Sequence, residues 1–319
     1  MPINTDKPQI WKADIAKSVD FYNDWFMKFA PKAYRTTRVS TTKEVESALR
    51  LTQNLKDISP DVLRVNPTVL PMLRMATAPP IARDRLIGLA GVAPNLVRSM
   101  EKGKRIPPQM QKGLLDSELV KIGQTIMKLA DQDIFTWLKP KRSPSADEIH
   151  RAATIVADRL CGAVADPIIR NAQEQRQLAT IKDWLLDRGY RYVESRHLKL
   201  DGLSTGTFSF RFNVPVKQPG RSKQVNVPID TVIMPQRAKD GDLPVLIEAK
   251  SAGDFTNTNK RRKEEATKVT QLRATYGDKV KFVLFLCGYF DSGYLGYEAA
   301  EGIDWVWEHR IDDLKQLGL

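Results

Sequence analysis

Apolar residues recur along this chain with two periods, and the change between them falls near its middle. In the first half the spacing is helical. Tyr22, Phe26 and Phe29 stand four and three apart with Trp25 beside them, which predicts an amphipathic helix over residues 12–29 that Pro31 ends. Aromatic residues at that spacing suit a helix core better than a platform for stacking bases. A second helix is expected over residues 43–55, after which Pro60, Pro67, Pro71, Pro79 and Pro80 impose short helices and turns. Leu119, Ile122, Ile126 and Leu129 mark a further helix. Pro140-Lys141-Arg142-Ser143-Pro144 reads as a linker, and Ser145 with Glu148 forms a capping box for a helix that buries Ile149, Val156 and Leu160. A mainly helical region over residues 1–140 and a second domain over 145–319 follow from this pattern.

Residues 81–103 have a more particular form. A helix carrying Leu86, Leu89 and Ala90 meets a turn at Gly91, Val92 locks it, and Pro94-Asn95 opens a helix with Leu96, Val97 and Met100. This resembles the helix-turn-helix of repressor-like proteins, whose second helix enters the major groove. Asn95, Arg98, Ser99 and Lys102 are then candidates to touch DNA, with Lys104 and Arg105 adding charge at the same helix end. The plainer alternative is a helical hairpin inside an all-α region.

Beyond about residue 165 helices alternate with strands. A helix from Asp166 to about Asp187 is stopped by Gly189 and has Leu178, Ile181 and Leu185 as its apolar stripe. Extended back one turn, that stripe reaches Glu174, a carboxylate where a core residue is expected. It either snorkels to solvent or points at a site above the sheet. Strands are expected at 190–193, 206–212, 225–234, 243–249 and 280–286, with basic Lys217, Arg221 and Lys223 in the turn between the second and third. A helix over 259–276 separates the last two, which favours a parallel crossover. The fold class is α/β (α+β), a mixed sheet flanked by helices.

Composition narrows the partners. The formal charge of +12 and pI of about 9.6 favour a polyanion, nucleic acid ahead of an anionic membrane surface. Cys161 and Cys287 lie in separate apolar runs and suit free thiols in a reducing cytoplasm, and His150, His197 and His309 form no cluster. No signal-peptide core opens the sequence, and the apolar run from Phe282 to Leu286 is too short to span a bilayer. The expectation is a soluble cytoplasmic protein with no membrane partner. No Walker-type glycine loop or methyltransferase glycine motif is present, so no nucleotide cofactor is expected.

Two strands carry charges that buried strands avoid. Val227-Pro228-Ile229-Asp230-Thr231-Val232-Ile233 contains an acid, and Val245-Leu246-Ile247-Glu248-Ala249-Lys250 an acid and a lysine. Glu248 and Lys250 are two apart and share a face, and Asp230 lies beside Glu248 if the strands are neighbours. Two carboxylates so placed repel unless a cation lies between them. Oxygen ligands with water and a phosphate oxygen suit Mg2+, and Lys250 would then assist an attacking water and offset phosphate charge. The competing reading is a partly buried ion pair of Lys250 with either acid.

Asp230, 17 intervening residues and Glu248-Ala249-Lys250 resemble the PD-(D/E)xK nuclease motif, here with Ile229 between Pro228 and the aspartate. Asp240 and Asp242 in the following loop are alternatives for the first acid. Glu174 matches the additional acid many members place on an upstream helix, and Lys260, Arg261, Arg262 and Lys263 lie where members contact phosphates. With Trp11-Lys12-Ala13-Asp14 and Ser18-Val19-Asp20-Phe21-Tyr22-Asn23, the chain as a whole is similar to XamI-type type II restriction endonucleases. The resemblance implies a restriction-endonuclease-like fold, with Asp230 and Glu248 holding the metal and Glu174 assisting. It further implies magnesium-dependent cleavage of both strands of a short palindromic double-stranded DNA site, giving 5′-phosphate ends. A two-fold substrate implies a homodimer. A repair or recombination nuclease of the same superfamily, and a DNA-binding regulator without enzymatic activity, are the alternatives.

Overall fold

The computed structural model describes all residues except 1, 163, 164, 196, 197, 199, 218–223 and 257, with the main chain alone at 165, 166, 168, 201 and 258–262. The chain forms two compact units, Pro31–Ile168 and Met1–Ala30 with Ile169–Leu319. Helix α1 (Pro8–Leu51) supplies residues to both and runs unbroken through Pro31. The expected stop at Pro31 and the separate helix over 43–55 are therefore corrected to one helix of 44 residues. A proline inside a helix removes one hydrogen bond. The turns on either side have their own anchors, Tyr22 and Ala30 before it and Val45 and Leu49 after it, all buried.

The helical unit continues with α2 (Pro60–Val65), α3 (Leu70–Met75), α4 (Arg83–Ala90), α5 (Pro94–Lys102), α6 (Lys112–Leu129) and α7 (Ala146–Gly162). One core joins them, with Leu73, Leu96, Ile122, Trp137 and Val156 fully buried. Helix α4 ends on Gly91 in the left-handed region (φ 60°), the conformation for which glycine is suited, and Val92 is buried behind the turn. The capping box forms in both directions: the Ser145 N–H donates to Glu148 at 2.9 Å and the Glu148 N–H to the Ser145 hydroxyl at 3.2 Å. Residues Pro140 and Pro144 lie within this unit, since Trp137 before them and Ala153 after them share its core.

The other unit is built on a six-stranded sheet: β1 (Arg191–Tyr192), β2 (Thr207–Val216), β3 (Val225–Met234), β4 (Val245–Ala252), β5 (Lys281–Gly288) and β6 (Asp304–Trp307), in spatial order β1-β2-β3-β4-β5-β6. The β2–β3 and β3–β4 pairs are antiparallel, whereas β1–β2, β4–β5 and β5–β6 are parallel. Helix α8 (Ala165–Leu186) precedes the sheet, α9 (Thr258–Tyr276) makes the expected crossover from β4 to β5, and α10 (Ser292–Ala300) leads to β6. The mixed sheet with flanking helices matches the expected fold class. Strand β6, four residues long, had no sequence expectation.

Side chains from the sheet fill two cores. On β5, Phe282, Leu284 and Leu286 enter one, with Val269 and Leu272 of α9, and Val283 and Phe285 enter the other, with Ile181 and Leu185 of α8. That is ordinary alternation. The β2–β3 hairpin departs from it. Phe208 lies in the α8 core but Phe212, Val214 and Val216 lie in the α9 core, so β2 changes face across Arg211. Across the ladder Ile229 and Val232, three apart, share one core, so β3 slips at Asp230 and Thr231. Arg211 adopts a left-handed φ of 50°, which costs a non-glycine residue about 1–2 kcal/mol. Among the described residues no helix is long and apolar enough to cross a membrane. Cys161 and Cys287 are buried free thiols.

Candidate active site

The face change sits beside the charged residues of β3 and β4. Their ladder runs from Ile233 opposite Val245 to Thr231 opposite Ile247 and ends one step before Asp230 and Glu248. There the Ala249 N–H donates to Asp230 Oδ2 at 2.8 Å, fixing the aspartate against the neighbouring strand. Glu248 is buried, and its Oε1 meets Lys250 Nζ at 3.0 Å and Lys268 Nζ at 2.6 Å. Lys250 Nζ also lies 3.3 Å from Glu265 Oε1. Glu174 Oε1 accepts from Arg211 Nη2 at 3.0 Å, so the strained arginine anchors the acid offered by α8. One turn on, Gln177 donates to the Phe285 carbonyl at 3.2 Å, tying α8 to β5. Asp230, Glu248, Lys250 and Glu174 all line one cleft of about 280 Å³, together with Arg170 and Gln173.

The structure thus brings together the four residues expected to act. Asp240 and Asp242 stand elsewhere, in the loop preceding β4, at the opposite end of that strand from Lys250. Asp242 Oδ2 there accepts from the Lys239 N–H at 2.8 Å. On α5, Asn95, Arg98 and Lys102 are exposed, whereas the Ser99 hydroxyl is engaged with the Arg105 carbonyl at 2.9 Å. Lys263 is exposed on α9; the side chains of Lys260, Arg261 and Arg262, together with Arg221, Lys223 and His197, lie outside the described residues. Sequence reasoning missed Lys268, Glu265 and Arg211. The lysine sits three residues after Glu265, so both project from one side of α9.

Electrostatics mark the same spot. Burial, then the charge of Glu248, pushes the Asp230 carboxyl up to about 6, with the Ala249 N–H opposing. Burial works against the Lys250 ammonium, but Glu248 and Glu265 more than offset it and its pKa lies above the ordinary value. Glu248 Oε2 is buried without a hydrogen-bond partner among the described residues. An orphaned carboxylate oxygen beside an acid that resists ionising is what a cation would relieve. No group of three or more His, Cys, Asp or Glu side chains forms a ligand cage among the described residues. Two carboxylates nevertheless fit magnesium, which keeps several of its waters and takes one or two acids from the protein.

A pH dependence follows for the metal-free protein. The raised Asp230 pKa contributes stability below about pH 4, and that contribution is lost as pH rises through about 6. Asp230→Asn removes the ionisation, so in chelator its melting temperature should exceed that of the wild type at pH 8 and match it at pH 4. The gap expected at pH 8 is about 3 kcal/mol, or several degrees. Equal melting at both pH values would contradict the assigned environment.

Comparison with known proteins identifies the family. The family model described as XamI restriction endonuclease matches residues 53–307. The type II restriction enzyme SalI of Streptomyces albus G is 55% identical over 317 residues, spanning 99% of this chain and 99% of SalI. No solved structure matches the chain. The matched span takes in β3, β4 and the whole cleft between them and α8. With 255 of its 319 residues inside the family model, from 53 to 307, the chain belongs to the XamI restriction endonuclease family and is a DNA-cleaving hydrolase.

Proposed function

We propose that this restriction nuclease acts as a magnesium-dependent type II enzyme that hydrolyses one phosphodiester bond in each strand of a short palindromic duplex site. The observation that carries the reading is the convergence of Asp230, Glu248, Lys250 and Glu174 on one cleft in which a buried carboxylate oxygen lacks a partner. Asp230 and Glu248 would hold the cation. Bound magnesium supplies Lewis acidity at a phosphoryl oxygen. Lys250 presents an ammonium, already fixed by two carboxylates, to the negative charge that builds on the phosphoryl oxygens in the transition state. Glu174, steadied by Arg211, accepts a hydrogen bond from water on the open side of the cleft. The products carry 5′-phosphate ends.

The helical unit serves mainly in DNA recognition and the sheet unit in cleavage, so the functional division follows the two units and not the expected break at residues 140–145. The exposed Asn95, Arg98 and Lys102 of α5, with Ser99, contact the duplex, and Lys260, Arg261, Arg262 and Lys263 contact its backbone. A homodimer in the bacterial cytoplasm matches the two-fold symmetry of the site. No nucleotide cofactor takes part. Incubation with mixed plasmid DNA decides the matter: discrete, reproducible fragments are expected with magnesium and none with chelator. Binding with intact plasmid in both conditions would favour a regulator, and smears or junction-dependent nicks a repair enzyme.

A further inference from the structure

Behind the cleft lies a second acid for which no role has been assigned. Glu265, on α9, is completely buried, and its Oε1 lies 3.3 Å from Lys250 Nζ. That oxygen makes no aligned hydrogen bond, so the contact is one of charge with charge. Its other oxygen accepts from the hydroxyl of Tyr294 at 3.2 Å, and Tyr294 is itself buried on α10. Burial, then Glu265 and Glu298, drives the Tyr294 phenol to a higher pKa, so the hydroxyl stays a donor. A buried carboxylate is a poor stabiliser; apolar packing of the same volume does as well or better. Its placement therefore calls for another explanation.

Lys250 supplies one. Glu248 Oε1 is shared between Lys250 and Lys268, and Glu248 is also the acid proposed to hold the cation. An ammonium secured by Glu248 alone would be released whenever that carboxylate turned its charge to a metal. We infer that Glu265, held from behind by Tyr294, is a positioning residue that keeps the Lys250 ammonium in the cleft independently of Glu248. The inference rests on the assignment of Lys250 to the reacting site.

Magnesium-dependent plasmid cleavage under single-turnover conditions tests both levels, with melting temperature and the KM for DNA measured alongside. Lys250→Ala tests the underlying assignment by itself: cleavage at the wild-type rate would overturn that assignment and this inference with it. If Lys250→Ala is inactive, Glu265→Gln decides. It keeps the shape and removes the charge, so the rate at saturating DNA should fall by about 10–100-fold, the range for lost supporting contacts at metal sites. The KM for DNA should stay within about twofold and the melting temperature should hold or rise, because a purely structural acid would move these instead. A wild-type saturating rate, or a loss confined to KM, would overturn the positioning role while leaving Lys250 in place. Should Glu265→Gln melt more than about 5 °C early, Tyr294→Phe takes its place: a reduced saturating rate with KM kept supports the inference, and a wild-type rate refutes it.

Discussion

Glu248→Gln should cut plasmid DNA at least about 10³-fold more slowly than the wild type while still binding it. The substitution keeps the side-chain volume and an amide oxygen for Lys250 and Lys268, but it removes the charge on which the proposed role of Glu248 in holding a cation rests. Charge stabilisation of several kcal/mol in the transition state would go with it, and each 1.36 kcal/mol is tenfold in rate. Lys250 retains Glu265 as counter-charge and Lys268 reaches solvent in part, so the fold should survive with a melting temperature lowered by only a few degrees, about 1–2 kcal/mol. Three readings taken together check this: cleavage rate, DNA binding in chelator, and thermal midpoint. Fragments appearing at the normal rate would remove Glu248 from the reaction.

Gly288→Ala should damage the protein most among single methyl additions near the cleft. A Cβ at this position would stand 2.1 Å from the Ala252 carbonyl oxygen, a backbone atom that no rotamer change can move aside. The φ of 98° is in addition one that alanine rarely adopts. Ala252 and Gly288 form the last pair of the β4–β5 ladder, two steps beyond Lys250 and Leu286, and the Gly288 N–H donates to the Ser18 hydroxyl at 2.8 Å. Relief requires the strand ends to part, which loosens both that bond and the Tyr22 ring lying 3.2 Å from the built Cβ. A destabilisation of roughly 3 kcal/mol or more is expected, about 6–12 °C in thermal midpoint. Displacing Lys250 by ~1 Å would cost about 10²-fold in rate on the molecules that remain folded. Calorimetry giving a midpoint within about 2 °C of the wild type would show that the strands yield far more easily than their packing implies.

Much of the candidate site was legible because its residues break a local rule. Asp230, Glu248 and Lys250 are charges inside β-branched runs, and Glu174 lies in register with Leu178 and Ile181 where an apolar side chain is expected. Glu265 obeys the same logic, four residues before Val269 and seven before Leu272, both buried. It escaped notice because α9 is charged on every side, and one more acid among Lys260, Arg261, Arg262, Lys263 and Glu264 does not stand out. Arg211 was illegible for another reason: its left-handed backbone is imposed by two strands changing faces together, and an arginine has no local preference that announces it. At Pro31 the local rule misled outright, since the packing of Tyr22 and Leu49 on either side outweighs one missing hydrogen bond. Strand β6 has only four residues and owes its place to the parallel ladder with β5, a long-range pairing that a short window cannot contain.

The reversal at Arg211 and Asp230 also divides the β2–β3 hairpin into two parts with different tolerance to change in length. On one side the register is tied to the cleft through Asp230 and Ala249. On the other, Val214 and Val216 of β2 and Val227 of β3 pack into the α9 core as an arm of ordinary alternation. That arm can be lengthened or shortened by matched pairs of residues, two from each strand, without rotating any side chain that surrounds the acids. A single-residue insertion there turns its valines outward, whereas the same insertion between Asp230 and Met234 moves the aspartate itself out of step with Glu248. Length variation among relatives is therefore expected to collect in the arm and in even steps, with Arg211 and Asp230 acting as the joint at which it stops.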